Sequence, residues 1–213
     1  MKITCVTNKP MDENTYICYD EANNNAVIID PGFETDKILA KIENLGVTVV
    51  AILLTHGHFD HVYNIDELKK KTSAPVWAHS LERAILTCTK DNGSEQYLDV
   101  PFEVHPDSYF EEGERNFGGI KVRIIHTPGH TQGSCCFLFE DNNIVITGDT
   151  LFHTGIGRSD FATGNHAKLI ASIRTKLLTL PSNTVILPGH GGKTTVDFET
   201  NNNPYIGGLH DPI

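Results

Sequence analysis

Three histidines and an aspartate fall within six consecutive residues, His56-Gly57-His58-Phe59-Asp60-His61. Imidazole nitrogen and carboxylate oxygen are the donors that catalytic sites offer to borderline ions such as zinc and iron. The four donors are too crowded to serve one ion, which points to a pair of ions sharing one loop. Three later turns add donors of the same kinds: His130 in His126-Thr-Pro-Gly-His130-Thr, Asp149 in Gly148-Asp149-Thr150, and His190 in Pro188-Gly189-His190-Gly191. Taken singly, a Pro-Gly-His turn or an aspartate closing a strand is ordinary turn chemistry. Together they make five histidines and two aspartates. That is three nitrogens for one ion, nitrogens and a carboxylate for another, and one carboxylate to bridge, the inventory of a two-metal hydrolytic centre.

Each donor turn follows an apolar run that reads as a strand: residues 49–54, 121–126, 144–147 and 184–187. Ligands gathered at strand ends are held by a rigid scaffold rather than by mobile chain. Further strands are expected at 4–7, 15–19, 26–30, 75–78 and 134–139. Helical spacing marks 34–45, 64–71, 81–89 (with Ser80 as its cap), 167–178 and a short last helix at 195–203. The polar stretch 90–107, with Pro101 and Pro106, reads as a flap. Two blocks of strands, each with helices, predict two packed sheets with helices outside, a layered α/β architecture. With no linker or repeat, residues 1–213 are expected to form one domain.

The composition, 39% apolar and 21% charged, is that of a chain able to bury a core without staples. Its formal charge is −10, and the one basic run, Lys69-Lys70-Lys71, suits a solvated helix end, so nucleic acid is not an expected partner. No apolar stretch is long enough to cross a membrane. The first residues lack the apolar core and cleavage site of a signal peptide, which makes the cytoplasm the expected compartment. The five cysteines include no Cys-x-x-Cys pair, arguing against a thiolate zinc site or a disulfide framework. Cys135 and Cys136 read as core residues of a strand.

The pattern Thr55-His56-x-His58-x-Asp60-His61, then Gly129-His130-Thr131, Gly148-Asp149-Thr150 and Pro188-Gly189-His190, resembles the metallo-β-lactamase superfamily. Gly148-Asp-Thr-Leu-Phe152, Gly155-Ile-Gly-Arg158-Ser-Asp160 and Pro188-Gly-His190-Gly, with Asn203-Pro204, look like its glyoxalase II branch in the short form that lacks a C-terminal helical domain. The resemblance runs from residue 14 to residue 204. It implies a four-layer αββα sandwich with two divalent ions at one edge between the sheets, zinc first, with iron or manganese as alternatives. His56, His58 and His130 would hold one ion, Asp60, His61 and His190 the other, and Asp149 would bridge.

The activity implied is hydrolysis of a glutathione thioester by hydroxide, with a thiolate leaving. Asp60 is expected to orient the hydroxide as well as to ligate. The resemblance gives Arg158 a carboxylate of the glutathione moiety to bind; an ion pair with Asp160 explains the residue equally well. Asp30, closing a strand before Pro31-Gly32, is either a partner for a ligand histidine or a turn cap. His79, His105, His126, His153, His166 and His210 are given no ligand role. One departure is marked: Gly191 and Gly192 stand where the full-length form has a glutamate and a tyrosine that reaches the substrate.

Three rival readings stand beside this one. A persulfide dioxygenase would use one iron on His58, His130 and Asp149, and shares the Gly157-Arg158-x-Asp160-Phe161 pattern; the Pro-Gly-His-Gly form at 188–191 favours the hydrolase. Another hydrolase of the superfamily could act on esters or lactones, β-lactams or phosphodiesters; a periplasmic β-lactamase would want an export signal and a nuclease a basic surface. A scaffold without activity has no need of seven donors.

Overall fold

The structure, a computed structural model, describes residues 1–206, so His210 lies outside the described residues. The first half of the chain forms β1 (Lys2–Asn8), β2 (Glu13–Tyr19), β3 (Asn25–Ile29), α1 (Thr35–Leu45), β4 (Thr48–Leu53), α2 (Phe59–Val62), α3 (Ile65–Thr72), β5 (Val76–His79), α4 (Arg83–Leu86), α5 (Ser94–Tyr97) and β6 (Ser108–Phe110). The second half forms β7 (Gly113–Phe117), β8 (Ile120–His126), β9 (Cys135–Phe139), β10 (Ile144–Gly148), β11 (Leu151–Phe152), β12 (Gly155–Ile156), α6 (His166–Ser172), β13 (Val185–Pro188), β14 (Thr194–Thr195) and α7 (Val196–Asn202). One sheet has the order β1-β2-β3-β4-β5-β6, antiparallel through β3 and parallel from there on. The other has the order β14-β13-β10-β9-β8-β7, antiparallel except for the pair β10 and β13.

The continuous apolar runs follow from strands that are covered on both faces. In β3, Ala26 and Ile28 pack with Ile38, Ile42 and Leu68 of α1 and α3, whereas Val27 and Ile29 point between the sheets toward Phe137 and Ile146. In β9, Cys135, Phe137 and Phe139 point between the sheets, while Cys136 and Leu138 meet Leu169 and Ile173 on the far side. Successive side chains of a strand therefore feed two different apolar layers. The result is the expected four-layer αββα sandwich, and Cys135 and Cys136 are core residues. Burying one such aliphatic side chain contributes roughly 1.5–3 kcal/mol.

Several expectations need correction. Ser80 does not cap a helix over 81–89. The Nδ1 of His79 accepts from the backbone N–H of Leu81, residues Ser80–Glu82 form a 3₁₀ turn, and α4 is a single turn. The stretch 90–107 is pinned rather than free: Asn92 Nδ2 donates to Phe102 O at 2.8 Å, Val104 N to Leu86 O at 2.8 Å, and Asn92, Ser94 and Val104 are buried. The helix expected at 167–178 is α6 followed by a wider π turn, Ile173–Leu177. Among the described residues no helix is long and apolar enough to cross a membrane.

Candidate metal centre

All the expected donors converge where four strands end. His56, His58, Asp60 and His61 follow β4, His130 follows β8, Asp149 follows β10 and His190 follows β13. Strands β8, β10 and β13 run in one direction, because β9 is antiparallel to both of its neighbours and β13 is parallel to β10. Their trailing turns therefore meet at one edge of the sandwich. The polar stretch after β4, expected to be a loop, is helical in part: Phe59–Val62 close one turn, from which Asp60 and His61 project.

Among the described residues the expected donors fall into two groups, and Asp30 makes a further cluster with His56 and His61. In the first, His56, His58 and His130 bring one nitrogen each to within 4.8 Å of the others. His58 Nδ1 and His130 Nε2 stand 2.8 Å apart. In the second, Asp60, His61 and His190 meet the same limit. His190 Nε2 lies 3.4 Å from Asp60 Oδ2 and 3.3 Å from His61 Nε2. Asp149 stands between the groups: Oδ1 is 3.3 Å from His61 Nε2 and 3.7 Å from His190 Nε2, and Oδ2 is 3.6 Å from His130 Nε2. Gly189 permits this approach, since a Cβ there would stand 2.4 Å from Asp149 Oδ1.

Contacts behind the donors aim their lone pairs inward. His130 Nδ1 donates to the Arg158 carbonyl at 2.7 Å and His190 Nδ1 to the Met11 carbonyl at 3.2 Å. His61 Nδ1 donates to Asp30 Oδ2 at 2.9 Å. His56 Nδ1 donates at 3.0 Å to Thr55 Oγ1, which itself donates to Asp30 Oδ2 at 2.6 Å. Four histidines thus present Nε2 to the centre, and His58 presents Nδ1. Such contacts fix tautomer and ring orientation in metal sites. Among the described residues, His56 Nε2 and Asp149 Oδ1 are buried without a hydrogen-bond partner. Buried acceptors left unpaired are costly, and a cation among them satisfies both, so the residues present fit a metal centre.

The charges agree. Burial, then the neighbouring imidazoles, hold His56 well below the usual histidine range. Burial, then His130, brings His58 down to about 3. For Asp149, burial opposes ionisation, but His61, His190 and His130 outweigh it and hold the carboxyl well below its usual range. Burial also opposes a charge on His61, yet Asp149, Asp60 and Asp30 push that imidazole upward. Negative charge gathered in a desolvated pocket is the complement of divalent ions.

Asp30 is a partner of two of the expected donor histidines, His61 directly and His56 through Thr55, rather than only a turn cap. The Arg158 guanidinium forks onto Asp160 (Nε–Oδ1 3.0 Å, Nη2–Oδ2 2.8 Å) and lies 4.5 Å over the Phe161 ring. The ion pair, one of the two roles weighed for Arg158, is therefore present. Sequence reasoning placed Thr55 in the motif without a role, and missed the Met11 carbonyl and Glu82. Glu82 is fully buried and accepts hydrogen bonds from Gly57, Thr131 and Gly133; burial pushes its carboxyl up to about 7 against the pull of those donors. Asn14 Nδ2 fixes the His190 turn by donating to Pro188 O at 3.1 Å and Gly191 O at 2.9 Å.

A fold and a donor set of this kind define a metallohydrolase. The chain belongs to the metallo-beta-lactamase superfamily, whose family model matches residues 10–190, a span that takes in every expected donor. It is accordingly a metal-dependent hydrolase of a superfamily that works with a dimetal centre. It is similar to the probable metallo-hydrolase YqgX of Bacillus subtilis (40% identical, covering 94% of this chain and 95% of that protein). It is similar also to the hydroxyacylglutathione hydrolase GloC of Haemophilus influenzae (35% identical, covering 97% and 98%). Among solved structures, BLEG-1 B3 metallo-beta-lactamase superposes with a TM-score of 0.92 at 34% identity, covering 97% of this chain and all 100% of that one. TTHA1623 in a di-iron-bound form superposes with a TM-score of 0.86 at 36% identity, covering 95% and 99%.

Proposed function

We propose that this protein hydrolyses thioesters of a small thiol, glutathione first among them, with two divalent ions, zinc in preference to iron or manganese. The observation that carries the reading is the placement of Asp149, whose two oxygens face different donor groups. His56, His58 and His130 would hold one ion, and Asp60, His61 and His190 the other. The likeness to GloC over nearly the whole of both chains supports the choice of substrate. When bound, ions of this kind lower the pKa of water toward neutrality and polarise a carbonyl oxygen.

The chain's own residues supply position. Asp149 sets the spacing of the two donor groups. Asp60, with its side chain 10% exposed beside His190, orients the attacking water at the open side of the centre. A thiolate with a free-thiol pKa of about 8.5 leaves without a strong proton donor. Phe161, with its ring edge-on to His58 at 4.8 Å, walls the first donor group. A substrate carboxylate reaching Arg158 competes with Asp160 for the guanidinium fork, which suits bidentate recognition. The test is loss of thioester absorbance when the zinc-loaded protein meets S-D-lactoylglutathione. Turnover that a chelator abolishes is expected. No turnover with two ions bound excludes this thioester, and a single bound iron with oxygen uptake on glutathione persulfide would assign the dioxygenase chemistry instead.

A further inference from the structure

Glu82 lies just after β5, outside every donor motif, and its side chain reaches two loops at once. Its Oε2 accepts from Gly57 N at 2.7 Å, between His56 and His58. Its Oε1 accepts from Gly133 N at 2.7 Å and from Thr131 Oγ1 at 2.7 Å, in the loop that carries His130. Thr131 is held in turn by Ser134, whose Oγ accepts from Thr131 N at 3.0 Å. The approach is close: a Cβ on Gly133 would stand 2.7 Å from Glu82 Oε1.

The two loops belong to different sheets. His56 and His58 follow β4 of the first sheet, and His130 follows β8 of the second. A backbone bond from Cys135 N to Thr55 O, 2.9 Å, joins the same regions, but it lies before His56 and beyond the His130 turn. The bonds of Glu82 fall between and beside the donors themselves. Glu82 makes no bond to the second donor group: Asp30, which also reaches His56 through Thr55, holds His61, and Asn14 holds the His190 turn.

We propose that Glu82 is a positioning residue that latches the two loops of the first donor group together and so sets that group's affinity for metal, leaving the second group unaffected. An ionised carboxylate only accepts, and three donors from the two loops point at it. In Glu82→Gln the amide nitrogen must replace either Oε1, facing Gly133 N–H, or Oε2, facing Gly57 N–H. One loop is released in either orientation, and a buried N–H is left unpaired.

The inference rests on the dimetal reading, and the experiment separates the two. Zinc affinity is measured by competition with a chromophoric chelator in two backgrounds: His190→Ala, which keeps the first group, and His130→Ala, which keeps the second. Glu82→Gln is expected to raise the zinc Kd about tenfold to a hundredfold in the first background, the range for contacts behind metal ligands, and to leave it unchanged in the second. Thr131→Val, which deletes one of the three bonds and keeps the shape, is expected to give a smaller rise in the first background alone. It carries the test if the metal-free circular dichroism of Glu82→Gln shows an unfolded chain. An unchanged Kd in the first background, or equal weakening in both, overturns the proposal. Parent proteins that bind no zinc in either background would sink the dimetal reading, and this inference with it.

Discussion

Asp149 stands between the two donor groups, yet they are built by different means. The first offers three nitrogens from side chains that are almost wholly buried, His56, His58 and His130, and burial keeps each of them a neutral donor. It is braced by Glu82 on the two loops and by the Arg158 carbonyl on His130. The second exchanges a nitrogen for the Asp60 carboxylate, and its His190 side chain is 27% exposed. Its outer wall hangs on the N-terminal strands: the Met11 carbonyl holds His190, while Asn14 and the Tyr16 hydroxyl hold the Pro188 carbonyl. The contrast shows how one fold can make a rigid, nitrogen-rich place and an open, acidic one side by side. The rigid place suits retention of an ion, and the open one suits arrival of substrate.

The largest effect should come from the residue between the groups. Asp149→Ala is expected to lower kcat by about a thousandfold or more, equivalent to several kcal/mol of lost transition-state stabilisation, and to reduce bound metal in elemental analysis. Full turnover with two ions retained would break the assignment of a bridging carboxylate. A smaller and one-sided effect is expected from Asn14→Ala, which frees the His190 turn. The weaker of two zinc affinities should fall about tenfold while the tighter one holds; loss of the tighter one would reverse the comparison.

A third effect concerns pH and the brace of the first group. Burial raises the Glu82 carboxyl from its usual 4.5 to about 7. Between those values the folded chain keeps a proton that the unfolded chain has lost. The stability owed to this residue therefore falls as pH rises from 4.5 to about 7 and is level outside that window. Urea melts of the metal-free proteins should show wild type losing about 3 kcal/mol relative to Glu82→Gln across it. A constant difference would contradict the burial of a titrating carboxyl there.

The donors were legible because each stands directly after an apolar run, and a strand end is a local signal. His56, His58, Asp60 and His61 could be read even though Phe59–Val62 coil into a turn too short to show helical periodicity. The braces were not legible. Glu82 works through backbone N–H groups 25 and 51 residues away, and the Met11 and Arg158 contacts use carbonyl oxygens that every residue has. Asp30 was half legible, since its place before Pro31-Gly32 is visible but its partners are not. The layered fold followed from apolar runs long enough to be covered twice. Strand β7 escaped because only its last residue, Phe117, is buried, so its sequence shows no alternation.

The central claim is a hydrolase whose two donor groups act together. It is tested most directly by titrating the metal-free protein with zinc while following hydrolysis of S-D-lactoylglutathione. Activity that climbs to a plateau at two equivalents per chain is predicted. A plateau at one equivalent, or turnover by the metal-free protein, would contradict it.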